Sequence, residues 1–382
     1  MTALLLAIIY ISFISLGLPD SLLGSAWPVM SGQMDVSVDY AGIVSMIIAG
    51  GTIISSLMSD RLTRKLSAGF VNAVSTLLTA VALFGFGTST QFWHLCLWSI
   101  PYGVGAGAID AALNNYVALH YSSRHMSWLH GCWGVGAAIS PYIMGFCLTG
   151  GLGWEKGYLY VAMIQIVLTA VLFASVPMWK KRTVVAGEKP AKALSLKEIF
   201  KIKGVKYVLL AFFGYSAMET TAGLWASTYL VMDRGIAEEP AAMFASLYFI
   251  GITVGRFATG FIADRIGDKT MIRLGIYVTI AGIAMVMLPV EWLCLAGIVV
   301  AGLGSAPIYP AIIHSTPDNF GAENSQAIVG VQMASAYTGS TFMPPLFGLI
   351  ADNISIGLYP VFMMVFTLLM LFMTEKLNKM KA

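Results

Sequence analysis

The chain has 382 residues, 58% hydrophobic and only 11% charged, with a mean hydropathy of +0.79. A soluble domain carries about 25% charged residues, so the deficit points to lipid as the solvent and leaves no extended polar segment for a nucleotide-binding domain. The net charge of +3 is not a sign of nucleic-acid binding, and Cys96, Cys132, Cys147 and Cys294 stand singly, without the spacing of a metal site or disulfide.

Apolar runs of about 20 residues or more, each long enough to cross a bilayer, recur from end to end. They occupy 3–30, 38–58, 67–88, 92–119, 126–150, 157–179, 205–232, 241–262, 271–289, 292–315, 325–350 and 355–374. Barrel strands would alternate apolar and polar residues in segments of about 10, so these continuous runs predict helices. The first run starts at Thr2 without a basic leader or a small-residue cleavage site, and a retained helix is expected.

A charged side chain in the hydrocarbon centre costs at least about 2.5–3.5 kcal/mol, so each one there needs a reason. In the first run Pro19 interrupts the helix beside Asp20, as in broken helices that line cavities; the alternative places Asp20 near the outer interface. After the second run come Asp60, Arg61, Arg64 and Lys65. The fourth carries Asp110 behind Gly103, Gly105 and Gly107, with Asn114 one turn on along the same face and Asn115 next to it. An acid with an amide one turn away suits a proton carrier beside a substrate donor and acceptor. At the start of the fifth, Trp128, His130 and Trp133 suit stacking on a sugar and titration, or equally interfacial anchoring.

Residues 180–204 form the one long polar stretch, in which Ser195 and Glu198 have the spacing of a capping box on a short amphipathic helix. The seventh run then presents Tyr215, Glu219 and Trp225, and the eighth Arg256. A lone buried Arg is untenable, so Arg256 pairs with an acid or a bound anion; a purely structural Glu219–Arg256 pair is the alternative to a substrate role. Asp264, Arg265 and Lys269 follow the eighth run as Asp60, Arg61 and Arg64 follow the second, which marks the halves as repeats. The tenth brings Pro307, Tyr309, Pro310 and His314, and the eleventh Gln332, Ser335 and Thr338 along one face.

With the N-terminus inside, nineteen of the 22 basic residues fall in inner segments: Arg61, Arg64, Lys65, Arg124, the nine from Lys180 to Lys206, Arg265, Lys269, Arg273, Lys376, Lys379 and Lys381. Lys156 and Arg234 lie outside and Arg256 within a span, an asymmetry that puts both termini in the cytoplasm.

The paired Asp-Arg loops resemble the signature of the major facilitator superfamily, the second copy closely and the first with Ser56 and Thr63 in place of glycine. Gly107-Ala-Ile-Asp110-Ala-Ala-Leu-Asn114 and Tyr215-x-x-x-Glu219-x-x-x-Gly223-x-Trp225-x-x-x-Tyr229 resemble the branch of fucose–galactose–glucose proton symporters. Asp110 stands where fucose permease has Glu, and Asn115 where it has proline, departures that fit a different substrate. The resemblance implies an all-α membrane protein of twelve helices in two pseudo-symmetric six-helix bundles, at 1–179 and 205–382 around the 180–204 linker. It also implies that the first, fourth, seventh and tenth helices line a cavity.

The function expected is secondary active transport of a small polar solute, a sugar or sugar-like compound, by proton-coupled symport with alternating access. No enzymatic activity, metal or cofactor is expected beyond the proton gradient. Asp20, Asp110 and Glu219 are the proton-coupling candidates. Asp20, Asn114, Asn115, His130, Trp133, Tyr215, Glu219, Trp225, Arg256, Tyr309 and Gln332 are the substrate candidates. Asp60, Arg61, Arg64, Asp264, Arg265 and Lys269 are the gating candidates, since an Asp at a helix end can bind a neighbouring helix in one conformation and release it in another. The expected partners are the substrate, protons and the lipid bilayer of the cell (inner) membrane, without nucleic acid, and the expected state is a monomer. The rivals are a drug–proton antiporter, suggested by the glycines and Pro141 of the fifth run, and a non-transporting sensor.

Overall fold

The computed structural model describes residues 2–179 and 193–381, in which there are helices and no strands. The basic linker residues 180–192 lie outside the described residues. In lipid every backbone N–H and C=O must be satisfied within the segment, and a helix does this. In chain order the helices are α1 (Thr2–Gly17), α2 (Leu22–Gln33), α3 (Tyr40–Leu66), α4 (Ala68–Gly87), α5 (Phe92–His120), α6 (Ser123–Thr149), α7 (Trp154–Ser175) and α8 (Leu196–Lys201). There follow α9 (Val205–Met232), α10 (Glu238–Ile266), α11 (Asp268–Met287), α12 (Glu291–Ser305), α13 (Ile308–His314), α14 (Thr316–Phe320), α15 (Ala322–Asn353) and α16 (Tyr359–Lys381).

Among the described residues, nine segments are long and apolar enough to cross a membrane, α1 with α2 counting as one and α12 with α13 as another. Helices α5, α9 and α15, of 29, 28 and 32 residues, have the length but carry more polar side chains. Together these make the twelve crossings of an all-α membrane protein. Large apolar side chains such as Phe84, Phe146, Val167 and Phe261 stand exposed on the helices, as lipid-facing positions do.

Contacts divide the chain into two compact units, Met1–Tyr116 with Leu129–Leu194 and Val117–Trp128 with Ser195–Ala382. The turn joining α5 to α6 thus packs with the second unit.

Two breaks are written into the sequence. Pro19 lacks the N–H that would continue the ladder, and at this point α1 ends at Gly17 and α2 resumes at Leu22 across a tight turn in which Asp20 N–H donates to Gly17 O at 3.2 Å. Pro307 separates α12 from α13 in the same way.

The repeated Asp-Arg segments are not loops. In the second copy α10 runs to Ile266, two residues past Asp264, and Gly267 turns the chain into α11 at φ 80°, ψ 154°. In the first copy the corresponding position is Thr63, which disfavours that conformation, and α3 continues one more turn to Leu66. There Ser67 adopts φ 71°, ψ 154° and its hydroxyl accepts from Phe70 N–H at 3.4 Å, capping α4. Asp60 and Arg64 are therefore helical neighbours. The capping box expected at Ser195 is present, with Ser195 N–H donating to Glu198 Oε2 at 2.7 Å.

Candidate functional site

In the first unit, the break between α1 and α2 frees Asp20 from helical packing and leaves it exposed. Its carboxylate receives one donor from each of two other helices: Tyr102 OH of α5 to Oδ1 at 3.0 Å, and Trp133 Nε1 of α6 to Oδ2 at 2.8 Å. Small residues make this approach feasible. A Cβ added at Gly136 would sit 2.0 Å from Ile14 O, so only glycine lets α6 close on α1 and bring Trp133 to Asp20. Beside this turn lies a cavity of about 10 Å³, bordered by Ser12, Ser15, Pro19, Thr79, Tyr102 and Gln165.

Asp110 is 5% exposed, and the helical spacing read from the sequence becomes a contact: Asn114 Nδ2 donates to Asp110 Oδ1 at 2.7 Å. The remaining amide oxygen of Asn114 lies 2.9 Å from His130 Nε2. With Asn114 nitrogen facing the acid, its oxygen can only accept, so Nε2 of His130 carries the proton. His130, Asn114 and Asp110 form one directional chain, all three buried, with the His130 ring edge-on to Phe13 at 5.4 Å. Asn115 is buried too, at 5% exposure.

The second unit holds a separate network. Arg256 Nη2 of α10 donates to Glu219 Oε1 of α9 at 3.1 Å and lies 3.5 Å from Tyr215 OH. Tyr215 OH is 3.0 Å from Glu219 Oε1 and 3.2 Å from Ser305 O. Its single proton serves one of these acceptors at a time. Tyr309, set on α13 by the break at Pro307, places its ring 6.0 Å from the Arg256 guanidinium, within cation–π range. The Glu219–Arg256 ion pair is thus present, with Arg256 side chain 4% exposed and Glu219 19%.

Two substrate candidates stand apart from this network. Trp225 donates Nε1 to Pro344 O at 3.1 Å and packs edge-on against Phe347, as part of the apolar interior of the unit. Gln332 is fully buried, and its Oε1 accepts from Thr316 Oγ1 at 3.0 Å.

Of the gating candidates, Asp60 is buried and takes Arg64 Nε on both oxygens, at 2.7 and 2.8 Å, while Arg61 is exposed. Asp264 accepts from Ser122 Oγ and from Arg124 N–H, each at 3.0 Å, with Arg124 Nε at 3.4 Å. Arg265 and Lys269 are exposed and make no ion pair among the described residues. Next to them, Asp268 accepts from Ser123 Oγ at 2.6 Å, with His314 Nδ1 also at 2.6 Å, and His314 Nε2 lies 3.0 Å from Tyr121 O. Both ring nitrogens face acceptors, the setting of an imidazolium.

Sequence reasoning passed over Tyr102, whose signal was a tyrosine just before the glycine run of α5. It also passed over an uncharged network of α1, α4 and α7. There Asn72 Nδ2 donates to Ser12 Oγ at 3.3 Å, Thr79 Oγ1 to Gln165 Oε1 at 2.6 Å, and Gln165 Nε2 to Ser15 O at 2.9 Å.

Comparison with known proteins agrees with this architecture. The hexuronate transporter of Bacillus subtilis is 24% identical over 374 residues, covering 88% of this chain and 85% of its own. A probable nitrate transporter of Staphylococcus haemolyticus, NarT, is 24% identical with 84% of each chain covered. Among solved structures, the E. coli fucose:proton symporter FucP superposes with a TM-score of 0.77 over 98% of both chains at 15% identity. The proton:xylose symporter XylE gives 0.79 over 99% of this chain and 95% of its own at 10% identity, a likeness of fold. The model of the Major Facilitator Superfamily matches residues 9–290 and 208–378, and the chain belongs to that superfamily of transporters.

Proposed function

We propose that this transporter moves a small polar solute, a sugar or sugar acid, by alternating access in symport with protons. The observation that carries the reading is the pairing in the first unit of an exposed acid with a buried one. Asp20, held by Tyr102 and Trp133, offers a hydroxyl-binding carboxylate next to an indole ring whose N–H edge it engages, the combination of groups that suits a sugar. Asp110, in the His130–Asn114 chain, is the proton carrier. Protonation neutralises it and lowers the cost of enclosing it, while the Asn114 bond persists, because the Asn114 N–H group donates to the carboxyl in either state.

Support comes from one relative described as a hexuronate transporter and from the fold shared with solved proton symporters of fucose and xylose. In the second unit Glu219 and Arg256 neutralise each other, which fits a structural pair more than a free anion site. Asp264 acts in gating, its bonds to Ser122 and Arg124 forming in one conformation and breaking in the other. The protein works as a monomer in the cell membrane with both termini cytoplasmic.

Counterflow in proteoliposomes tests the substrate class. The expected result is exchange of a labelled hexose or hexuronate that is lost in Asp20→Asn. Exchange of apolar cations alone would support an exporter, and absence of any counterflow a sensor.

A further inference from the structure

At one end of the second unit the start of α9 meets the end of α16, and the two helices pack together. A Cβ at Gly204, just before α9, would lie 2.8 Å from Leu377 Cδ1, which shows how close these ends come. Two lysines converge there on one ring: the Lys206 ammonium lies 5.3 Å and the Lys376 ammonium 5.1 Å from the centre of Tyr207. Both lysines are exposed. The carboxylate next in sequence, Glu375, is taken by Arg273, whose Nη2 reaches Oε2 at 2.7 Å. Among the described residues no lysine at all lies within ion-pair distance of an acid. Two like charges held about one ring, without a carboxylate, form a site of positive potential.

The neighbouring surface is apolar in a particular direction. Leu210 stands one turn into α9 from Lys206, on the same face, and is 42% exposed. Phe372 stands one turn into α16 from Lys376 and is 61% exposed, with the Lys376 ammonium 5.5 Å from its ring. Each ammonium therefore sits at the helix end with an exposed apolar side chain directly beneath it. That is the layout of a lipid molecule, with charge at the headgroup level and hydrocarbon below. A soluble phosphate would engage the lysines but make no use of Leu210 and Phe372.

We propose that Lys206, Tyr207 and Lys376 bind the phosphate of an anionic phospholipid, with its acyl chains along Leu210 and Phe372. Lys203, also exposed, lies one turn before Lys206 in sequence. This site is independent of the transport reading above.

The test is native mass spectrometry of the purified full-length protein with added phosphatidylglycerol, phosphatidylcholine or inorganic phosphate. The wild type is expected to retain one phosphatidylglycerol in preference to phosphatidylcholine, with retention falling as salt rises and unaffected by millimolar phosphate. K206Q/K376Q should hold it about thirtyfold more weakly, from about 1 kcal/mol for each of the two lysines near a charged surface. K206R/K376R should retain it, and K197Q/K201Q, which lowers the charge of α8 equally, should leave it unchanged. Equal retention by K206Q/K376Q and wild type, equal retention of phosphatidylcholine, or displacement by inorganic phosphate would overturn the proposal. If the glutamine variant fails to fold, the lipid preference and salt dependence of the unsubstituted protein decide between the same two outcomes.

Discussion

Replacing Glu219 with Gln asks whether the second unit depends on its buried charge pair. The substitution keeps the shape of the side chain but leaves the Arg256 cation, 4% exposed, facing a neutral amide at the 3.1 Å contact. Breaking a buried pair by removing one partner costs about 3–5 kcal/mol, because the surviving charge stays desolvated. The lower end applies here, since Glu219 is 19% exposed and Tyr215 OH remains 3.5 Å from the guanidinium, so a loss of about 3 kcal/mol is expected. Arg256→Gln should cost a similar amount, and the double variant distinctly less than the two together. Equilibrium unfolding in mixed micelles, followed by tryptophan fluorescence, measures all three. If E219Q stays within about 0.5 kcal/mol of wild type, or the two substitutions simply add, Arg256 is not held by Glu219 and the structural reading of the pair fails.

Trp133→Phe keeps a ring beside Asp20 but removes the N–H that holds Oδ2 at 2.8 Å. Stability should fall by no more than the roughly 1.5–3 kcal/mol of a hydrogen bond to a charged group, less because Asp20 is exposed, and the apparent KM should rise as the carboxylate loses its fixed orientation, read by a thermal scan and by uptake kinetics. Gly136→Val puts a side chain where even a Cβ lies 2.0 Å from Ile14 O. Separating α1 from α6 should cost about 1–3 kcal/mol in unfolding assays and abolish solute binding together with it. Asp264→Asn keeps hydrogen bonding to Ser122 and Arg124 but removes the charge at 3.4 Å from Arg124 Nε. Its expected phenotype is an altered transport rate at unaltered equilibrium binding, resolved by comparing initial uptake with ligand-induced thermal shift.

Much of the architecture was legible because lipid enforces it. Runs of about 20 apolar residues must be helices, and Pro19 and Pro307 fall at breaks, whereas Pro28, Pro101, Pro141, Pro344 and Pro345 lie inside helices that continue past them, as membrane helices tolerate. The Asp110–Asn114 contact followed from one helical turn of spacing, and the Ser195 cap from a local pattern. What escaped depends on partners far along the chain. Tyr102 meets Asp20 across 82 positions, and Thr79 meets Gln165 across 86. Charges stand out in an apolar run because they are costly there, whereas hydroxyls and amides are cheap enough to pass without notice. Trp225 and Gln332 show the converse, since helical spacing placed them near candidate residues while tertiary packing turned them to Pro344 O and Thr316. The extra turn of α3 after Asp60 was encoded in Thr63, where the second repeat has Gly267.

Central to the proposed transport cycle is the carboxyl of Asp110 as carrier of the coupled proton. Uptake into proteoliposomes of the solute identified by counterflow, with and without an imposed pH gradient, tests it in the wild type and in Asp110→Asn. D110N is predicted to keep counterflow exchange but no longer to accumulate solute in response to the gradient. Gradient-driven accumulation by D110N at wild-type levels would contradict that role.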